Sequence, residues 1–320
     1  MQLNNVQLKQ VTVLGGSGFV GSALANKLDA AGYQVKVLTR RRESSKHLIL
    51  LPNVDVVECN VMQDVEMAHA LKDSDIVINL VGILHDDSEF GFERIHHQLA
   101  RRLVQLCAEL GIPRLVHMSA LQAGANAPSA YLRSKAAGET AILEHAKKID
   151  ITIFRPSVIF GRGDSFLNLF ATLVKLMPVI FLAKPHAKFQ PIWVEDVATA
   201  FVSCLQNTDT YGKIYELGGS KVYTLRQLVQ KVANILGKKR IIVGLNDSLS
   251  MFQGFILELL PIKLMTRDNI KSMQVDNVCK NGFPEVFGFT PTDLETLLPE
   301  FLTNKSPRSA YKRFRGVAGR

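Results

Sequence analysis

The sequence predicts an α/β fold: a doubly wound parallel sheet of about seven strands, followed by a small mixed C-terminal lobe. Three observations predict it. Short apolar runs alternate with segments of helical spacing through the first half of the chain. These runs are apolar on both faces, as strands covered by helices on both sides must be. The first run feeds a glycine turn, Gly15-Gly16-Ser17-Gly18-Phe19-Val20-Gly21, that opens a helix.

Residues 11–14 form the first strand, and 19–31 a helix with Val20, Leu24 and Leu28 in register and Gly32 as its stop. Strands follow at 35–38 and 54–58, then an amphipathic helix around 65–71 and a buried strand at 76–81. A long helix spans 92–110 and ends at Gly111; 114–118 is the fifth strand. The helix carrying Tyr131 runs to about 148, and the sixth strand, 151–154, ends at Arg155-Pro156. Beyond 160 the rhythm loosens. Helices are expected at 166–177 and 194–205, a seventh strand at 213–217, and a helix capped by Thr224 and closed by Gly237. A last helix is expected at 291–301. The implied division is 1–160 for the sheet domain, 161–304 for a lobe that returns 213–217 to the sheet, and 305–320 for a basic tail.

A hydrophobic fraction of 47% and a charged fraction of 21% describe a globular chain with a sizeable core. Cys59, Cys107, Cys204 and Cys279 are far apart and make no C-x-x-C, so a reducing compartment is expected, with no disulfide framework and no metal site. Of the net charge of +9, six basic residues and no acid fall in 305–320. Such a tail suits anionic lipid or an acidic partner as well as bulk solvent, and no nucleic-acid partner is inferred from it. The polar first ten residues contain no signal or transit pattern, and Pro178 interrupts the most apolar stretch, 166–183. The expected location is cytoplasmic, with a peripheral position on the inner face of the cytoplasmic membrane the alternative.

The glycine turn points to a dinucleotide site in preference to a merely structural turn. Gly15 and Gly18 let backbone approach a pyrophosphate at the helix N-terminus, beside Ser17, Phe19 and Val20, while Gly21 allows helix and strand to pack closely. After the second strand comes Thr39-Arg40-Arg41-Arg42, where an acid would hold a ribose 2′-hydroxyl. Arg40 and Arg41 instead suit a 2′-phosphate in charge and bidentate geometry, so NADP(H) is favoured, with NAD(H) the alternative. Asn60 and Val61 follow the third strand, where an amide meets an adenine edge. Leu80, Val81 and Gly82 close the fourth, near a ribose.

Tyr131 and Lys135 lie one helical turn apart on one face. An ammonium beside a phenol stabilises the phenolate, so the tyrosine is expected to exchange protons near neutral pH. Proton exchange at a carbonyl or alcohol is what hydride transfer asks of a protein.

With Gly15, Gly18, Gly21, Ser119, Tyr131 and Lys135 in order, the chain resembles a short-chain dehydrogenase/reductase of extended or atypical type, with a Rossmann-type sheet. The resemblance implies that Ser119 polarises a substrate oxygen, Tyr131 is the acid/base and Lys135 holds the nicotinamide ribose. The run 155–161 matches the family's segment beside the nicotinamide, which brings in Pro156, Ser157 and Val158; 189–198 matches a later segment. The runs 131–139 and 159–168 are similar to the NADPH-binding accessory subunits of respiratory complex I, their bacterial homologues above all. That resemblance extends over about residues 10–302. It implies either an oxidoreductase acting on a carbonyl or quinone-related substrate, or a cofactor-loaded accessory or assembly protein of complex I or ubiquinone biosynthesis. A respiratory-complex or membrane partner is implied with it.

Other residues have plainer readings. His117 is expected in the core, and of the pair His96-His97 one is expected buried and the other not. Asp164 and Arg162 are expected to pair locally. The apolar stretch 251–265 is expected to pack as lobe core, with a surface for lipid or quinone the alternative.

Overall fold

A computed structural model describes residues 9–86, 91–259 and 265–303. In chain order the elements are β1 (Gln10–Leu14), α1 (Phe19–Ala30), β2 (Gln34–Thr39), β3 (Val54–Glu58), α2 (Asp64–Leu71) and β4 (Ile76–Asn79). A π-helical turn (Glu93–Gln98) runs directly into α3 (Leu99–Glu109), followed by β5 (Arg114–Met118), α4 (Ala130–Leu143), β6 (Asp150–Pro156) and β7 (Ile159–Phe160). Then come α5 (Leu167–Leu176), β8 (Val179–Leu182), β9 (Lys188–Phe189), β10 (Ile192–Trp193), α6 (Val194–Cys204) and β11 (Lys213–Leu217). The last elements are β12 (Tyr223–Thr224), α7 (Leu225–Ile235), β13 (Ile241–Gly244), α8 (Asp247–Glu258), α9 (Arg267–Ser272) and α10 (Leu294–Leu302).

The chain divides into two units. The first is Met1–Pro156 with Val194–Leu217 and Pro284–Phe289; the second is Ser157–Trp193, Gly218–Phe283 and Thr290–Arg320. The sequence-based boundary at 160 was contiguous, whereas α6 lies in the first unit, packed on α1 with Lys27 and Glu195 at 3.4 Å. The tail expected at 305–320 lies outside the described residues.

The first unit holds the expected seven-stranded parallel sheet, in the order β11-β6-β5-β4-β1-β2-β3. From β1 the chain winds outward through β2 and β3, then returns to β4 and winds the other way. The reversal falls between β1 and β4, and in open α/β sheets ligands sit at the C-terminal ends of the strands on either side of such a reversal. The two strands flanking the reversal are the sheet's centre: β4 is buried at every position and β1 at all but its first. One face packs Leu99, Leu103, Val104 and Cys107 of α3 against Leu115, Ile151 and Ile153. Arg114 ties the far side together from a buried position, donating to Thr152 Oγ1 at 2.7 Å and to the Cys204 carbonyl at 3.0 Å.

Two expected helices differ in the structure. The 92–110 helix opens as a π turn, and the Tyr131 helix ends at Leu143 instead of 148 because 145–148 continues in tighter turns.

The second unit has its own core, in which Phe160, Leu167, Phe170 and Val174 meet Leu225, Leu228, Val229 and Val232 of α7 and Leu294 and Leu298 of α10. Thr224 caps α7 in a reciprocal capping box with Gln227. The expectation for 251–265 is overturned for the residues described there. α8 buries only Ser250 and Gly254 and leaves Phe252, Phe255, Ile256 and Leu259 exposed. Residues 260–264 lie outside the described set. Asp164 is also corrected: its buried carboxylate accepts from the Leu167 amide at 2.6 Å and the Gly161 amide at 3.3 Å, serving the start of α5. No helix among the described residues is long and apolar enough to cross a membrane.

Candidate functional site

β1 delivers the chain into the glycine turn at the reversal point. Gly15 has φ +76°, and a Cβ there would sit 3.1 Å from the Leu80 carbonyl carbon and the Val81 amide nitrogen. Both the conformation and the closeness to the end of β4 exclude a side chain. At Gly21 a Cβ would stand 2.4 Å from the Gly15 carbonyl oxygen, so only glycine lets α1 start this close to the turn. Gly18 is the N-cap of α1 and has no side chain to satisfy the first-turn amides, and that turn carries no acid. Uncapped amide donors at the positive end of a helix make a cradle for an anion. Ser17 and Phe19 are half-buried beside it and Val20 is buried. Gly16, which the sequence did not single out, lies against Val37 of β2, where a Cβ would come within 2.8 Å of its side chain.

The neighbouring strand ends place the other expected cofactor residues along the same edge. Arg40 and Arg41 follow β2 and are exposed, with the Arg41 amide 3.4 Å from Thr39 Oγ1. Beyond β3, Asn60 Oδ1 accepts from the Met62 amide at 3.1 Å, and half-buried Val61 packs on the core. After β4 the Leu80 amide bonds the Leu14 carbonyl at 2.9 Å and the Val81 amide bonds Asn79 Oδ1 at 3.1 Å.

Gly82 leads to the second group. A Cβ on it would lie 3.1 Å from Lys135 Nζ and 3.5 Å from His96 Nε2, so both side chains crowd the end of β4. Lys135 is buried and donates to the Met118 carbonyl at 3.2 Å. Burial, partly offset by Glu139, pulls its amine down to about 8. Met118 ends β5, and Ser119 follows. The Ser119 amide bonds the Phe154 carbonyl at 2.7 Å, while its Oγ is buried without a partner among the described residues. A buried hydroxyl left unpaired is costly, and one at a strand end is available to a ligand.

Ser129 caps α4 by accepting from the Leu132 amide, which sets Tyr131 in the first turn and Lys135 one turn on. Tyr131 is half-buried, and burial pushes its phenol up to about 12. This corrects the expectation of a phenolate stabilised near neutral pH: without ligand, desolvation outweighs any help from the amine.

His96 is the residue whose part the sequence concealed. The Ile83 amide donates to its Nε2 at 3.1 Å, so in the neutral ring Nδ1 carries the proton. Nδ1 then donates to Ser134 Oγ at 2.9 Å, and Ser134 donates to the Tyr131 carbonyl at 2.8 Å. The His96 ring meets the Tyr131 ring edge-on at 5.5 Å and stacks on Phe92. Burial and the Lys135 charge hold His96 down to about 2, so it stays neutral. Its own carbonyl lies where a Gly138 Cβ would be, at 2.1 Å, so Gly138 admits the π turn against α4. No spacing rule reveals this; the π turn turns the ring inward. His97, by contrast, is partly exposed and pairs with Glu93 at 2.6 Å.

His117 is buried, as expected, yet is not a simple core residue. Asn79 Oδ1 accepts from the Val81 amide, so its Nδ2 donates to His117 Nδ1 at 3.2 Å. The proton therefore sits on His117 Nε2, which has no partner among the described residues. Burial and Lys135 hold this ring down to about 3.

The expected residues at 156–158 divide. Pro156 ends β6, its carbonyl accepting from Leu121 at 3.0 Å. Ser157 and Val158 belong to the second unit, where Asn277 Oδ1 takes the Ser157 hydroxyl at 2.5 Å and the Val158 amide at 3.1 Å. Among the described residues no group of His, Cys, Asp and Glu side chains is arranged to hold a metal ion.

The anion cradle at α1, the strand-end backbone and the unpaired Ser119 hydroxyl fit a dinucleotide, and the comparisons agree in kind. Curated relatives include alpha subcomplex subunit 9 of mitochondrial NADH dehydrogenase [ubiquinone] 1. The Arabidopsis thaliana protein is 35% identical over 68% of this chain and 56% of its own length; the Rattus norvegicus protein is 30% identical over 89% and 77%. The chain thus spans little more than half of the plant relative. A ceramide reductase of Caulobacter vibrioides is 28% identical over 78% of this chain and 77% of its own length. Among solved structures, a UDP-glucuronic acid 4-epimerase from Bacillus cereus, in complex with UDP-glucuronic acid and NAD, has the same fold at a TM-score of 0.69. It is 17% identical, over 93% of this chain and all of that one. The model of the NAD dependent epimerase/dehydratase family matches residues 11–218, a span that runs from β1 through the glycine turn, Ser119, Tyr131 and Lys135 to the end of the sheet, and the chain belongs to that family.

Proposed function

We propose that the protein binds NADP(H) at the C-terminal edge of its sheet and transfers a hydride to a carbonyl, on a quinone-related or lipid-like substrate. The observation that carries this is the buried, unpartnered Ser119 hydroxyl beside the strand end that Lys135 holds, with Tyr131 one turn away. The dinucleotide, when bound, supplies the hydride. The turn at Gly15, Ser17, Gly18, Phe19, Val20 and Gly21 holds its pyrophosphate. Arg40 and Arg41 take the 2′-phosphate, Asn60 and Val61 the adenine edge, and Leu80, Val81 and Gly82 the ribose, whose hydroxyls Lys135 binds. Pro156 borders the nicotinamide side, while the polar groups of Ser157 and Val158 serve Asn277.

The proton chemistry favours reduction. A phenol held near 12 is protonated at neutral pH, so Tyr131 is placed to give a proton to the oxygen that Ser119 orients. Lys135, charged below about 8, eases that transfer by stabilising the phenolate left behind. The name of the Caulobacter relative supports a lipid-like carbonyl.

A second reading is favoured by the names of the plant and rat relatives: a cofactor-loaded component of a respiratory NADH–ubiquinone oxidoreductase, with dinucleotide bound and not consumed. One set of measurements separates the two. Protein purified without added nucleotide is denatured and its nucleotide identified; stripped wild type and Arg40→Ala are then titrated with NADPH and NADH. The expected result is a preference for NADPH of about tenfold or more that Arg40→Ala removes. Equal affinities and no effect of the substitution would sink the 2′-phosphate assignment. Slow release, with no oxidation of bound NADPH by quinones or long-chain ketones, would select the second reading.

A further inference from the structure

Helix α8 is inside out. At about 100° per residue, its two buried residues, Ser250 and Gly254, lie close together on one face. Leu249, Phe252, Phe255, Ile256 and Leu259 fall within an arc of about 120° centred opposite to them. All five are exposed, from 45% at Phe255 to 71% at Leu259. Gly254 makes this possible: a Cβ there would come within 2.6 Å of Ile270 Cδ1, so α8 rests on α9 through its smallest residue. The apolar surface extends to the paired strands beside it. Phe181 of β8 and Val243 of β13 are register partners, both exposed, and Gln253 of α8 donates to the Phe181 carbonyl at 2.9 Å. The charges at the two ends of α8 are neutralised, Asp247 by Lys184 at 2.8 Å and Glu258 by Arg267 at 2.8 Å.

We propose that this face docks on the surface of an anionic lipid bilayer. An uncharged apolar face of bulky side chains on one helix suits the boundary between headgroups and acyl chains. One such element gives marginal, reversible binding, and stable attachment takes a second signal, commonly a basic segment. The sequence supplies one: beyond Thr303 it has six basic residues and no acid. That charge selects anionic headgroups over a second copy of this chain, which would carry the same positive segment. No described helix is long and apolar enough to span the bilayer. The inference is independent of whether a bound dinucleotide turns over.

The test is co-sedimentation with phosphatidylcholine vesicles, with and without phosphatidylglycerol, alongside size-exclusion chromatography. Wild type is expected to pellet with the anionic vesicles and not the neutral ones. Phe252→Ser combined with Leu259→Ser, and separately removal of 305–320, should each weaken binding about tenfold or more while circular dichroism and melting stay those of wild type. Absence of wild-type binding, or equal binding of wild type and the double variant, would overturn the proposal. So would a wild-type dimer that the double variant dissolves, because the face would then belong to a second copy.

Discussion

Helices α4 and α8 both use a glycine to reach a close contact, and then do opposite things with the rest of their surface. Gly138 lets α4 meet the His96 carbonyl, and around it α4 buries Ser134, Lys135 and Glu139. Gly254 lets α8 rest on α9, and α8 turns its phenyl and branched side chains to solvent. Both depart from the usual partition of polar and apolar side chains. A buried amine lowers stability and gains a dry environment in which one charge acts strongly. Exposed rings forgo the stabilisation of burial and keep it in reserve for a partner. In the functions proposed for them, the first helix serves chemistry and the second attachment.

Acid should separate them most. His96 and His117, both beside Lys135, are held at about 2 and about 3, against 6.5 when exposed. Below pH 6.5 the unfolded chain takes up two protons that the folded chain refuses, so stability falls as pH falls. The slope from these two residues approaches 2.7 kcal/mol per pH unit, about 1.4 for each. Urea unfolding between pH 7 and pH 5 should show it, and His117→Gln should remove about half. Substitutions on α8, which has no histidine, should leave the slope unchanged.

The two glycines give the next contrast. In Gly138→Ala the new methyl meets a backbone oxygen at 2.1 Å, and only movement of α4 away from the π turn relieves it. The expected loss is about 2–4 kcal/mol. In Gly254→Ala the closest atom, at 2.6 Å, is the end of the Ile270 side chain, which can swing aside. Alanine's helix propensity returns up to about 1 kcal/mol, so the net change should stay within about 1 kcal/mol. Equal losses in the two variants would break the comparison.

The uneven legibility of the chain has the same origin. Strands that are apolar on both faces and the glycine turn are local signals, so the sheet and the α1 cradle could be read from the sequence. Tyr131 and Lys135 were legible because a single helical turn relates them. His96 was hidden because its role depends on a π turn and on three partners, Ile83, Ser134 and Gly138, up to 42 positions away by their numbering. The direction of the Tyr131 shift was missed because spacing shows the amine but not the desolvation. α8 was misread because apolar content alone does not say which face is covered, and the deciding atoms belong to α9.

Lys135→Met tests the cost of the α4 arrangement. A buried amine drawn down from 10.5 to about 8 is charged at neutral pH in both states, and the folded state bears the desolvation. Wild type without ligand should therefore gain stability from this residue as pH rises from about 8 to 10.5, where the folded amine is neutral and the unfolded amine still charged. Lys135→Met should be more stable than wild type at pH 7 by about 1–3 kcal/mol, lack that alkaline rise and bind NADPH about tenfold or more weakly. A destabilised variant with intact affinity would mean that the lysine is there for structure.

The smallest effect is expected at Phe252, and its smallness is the point. A phenylalanine buried in a core loses about 3–5 kcal/mol on truncation. Phe252 is 60% exposed and lies opposite the face through which α8 rests on α9. Phe252→Ser removes little that the folded state has gained, and serine costs the helix only a few tenths of a kcal/mol. The melting midpoint should therefore move by an amount equivalent to about 0.5 kcal/mol or less. A loss approaching that of a core phenylalanine would show that the ring is already covered within the protein. The α8 face would then be structural, and the contrast with α4 would reduce to two buried helices of different polarity.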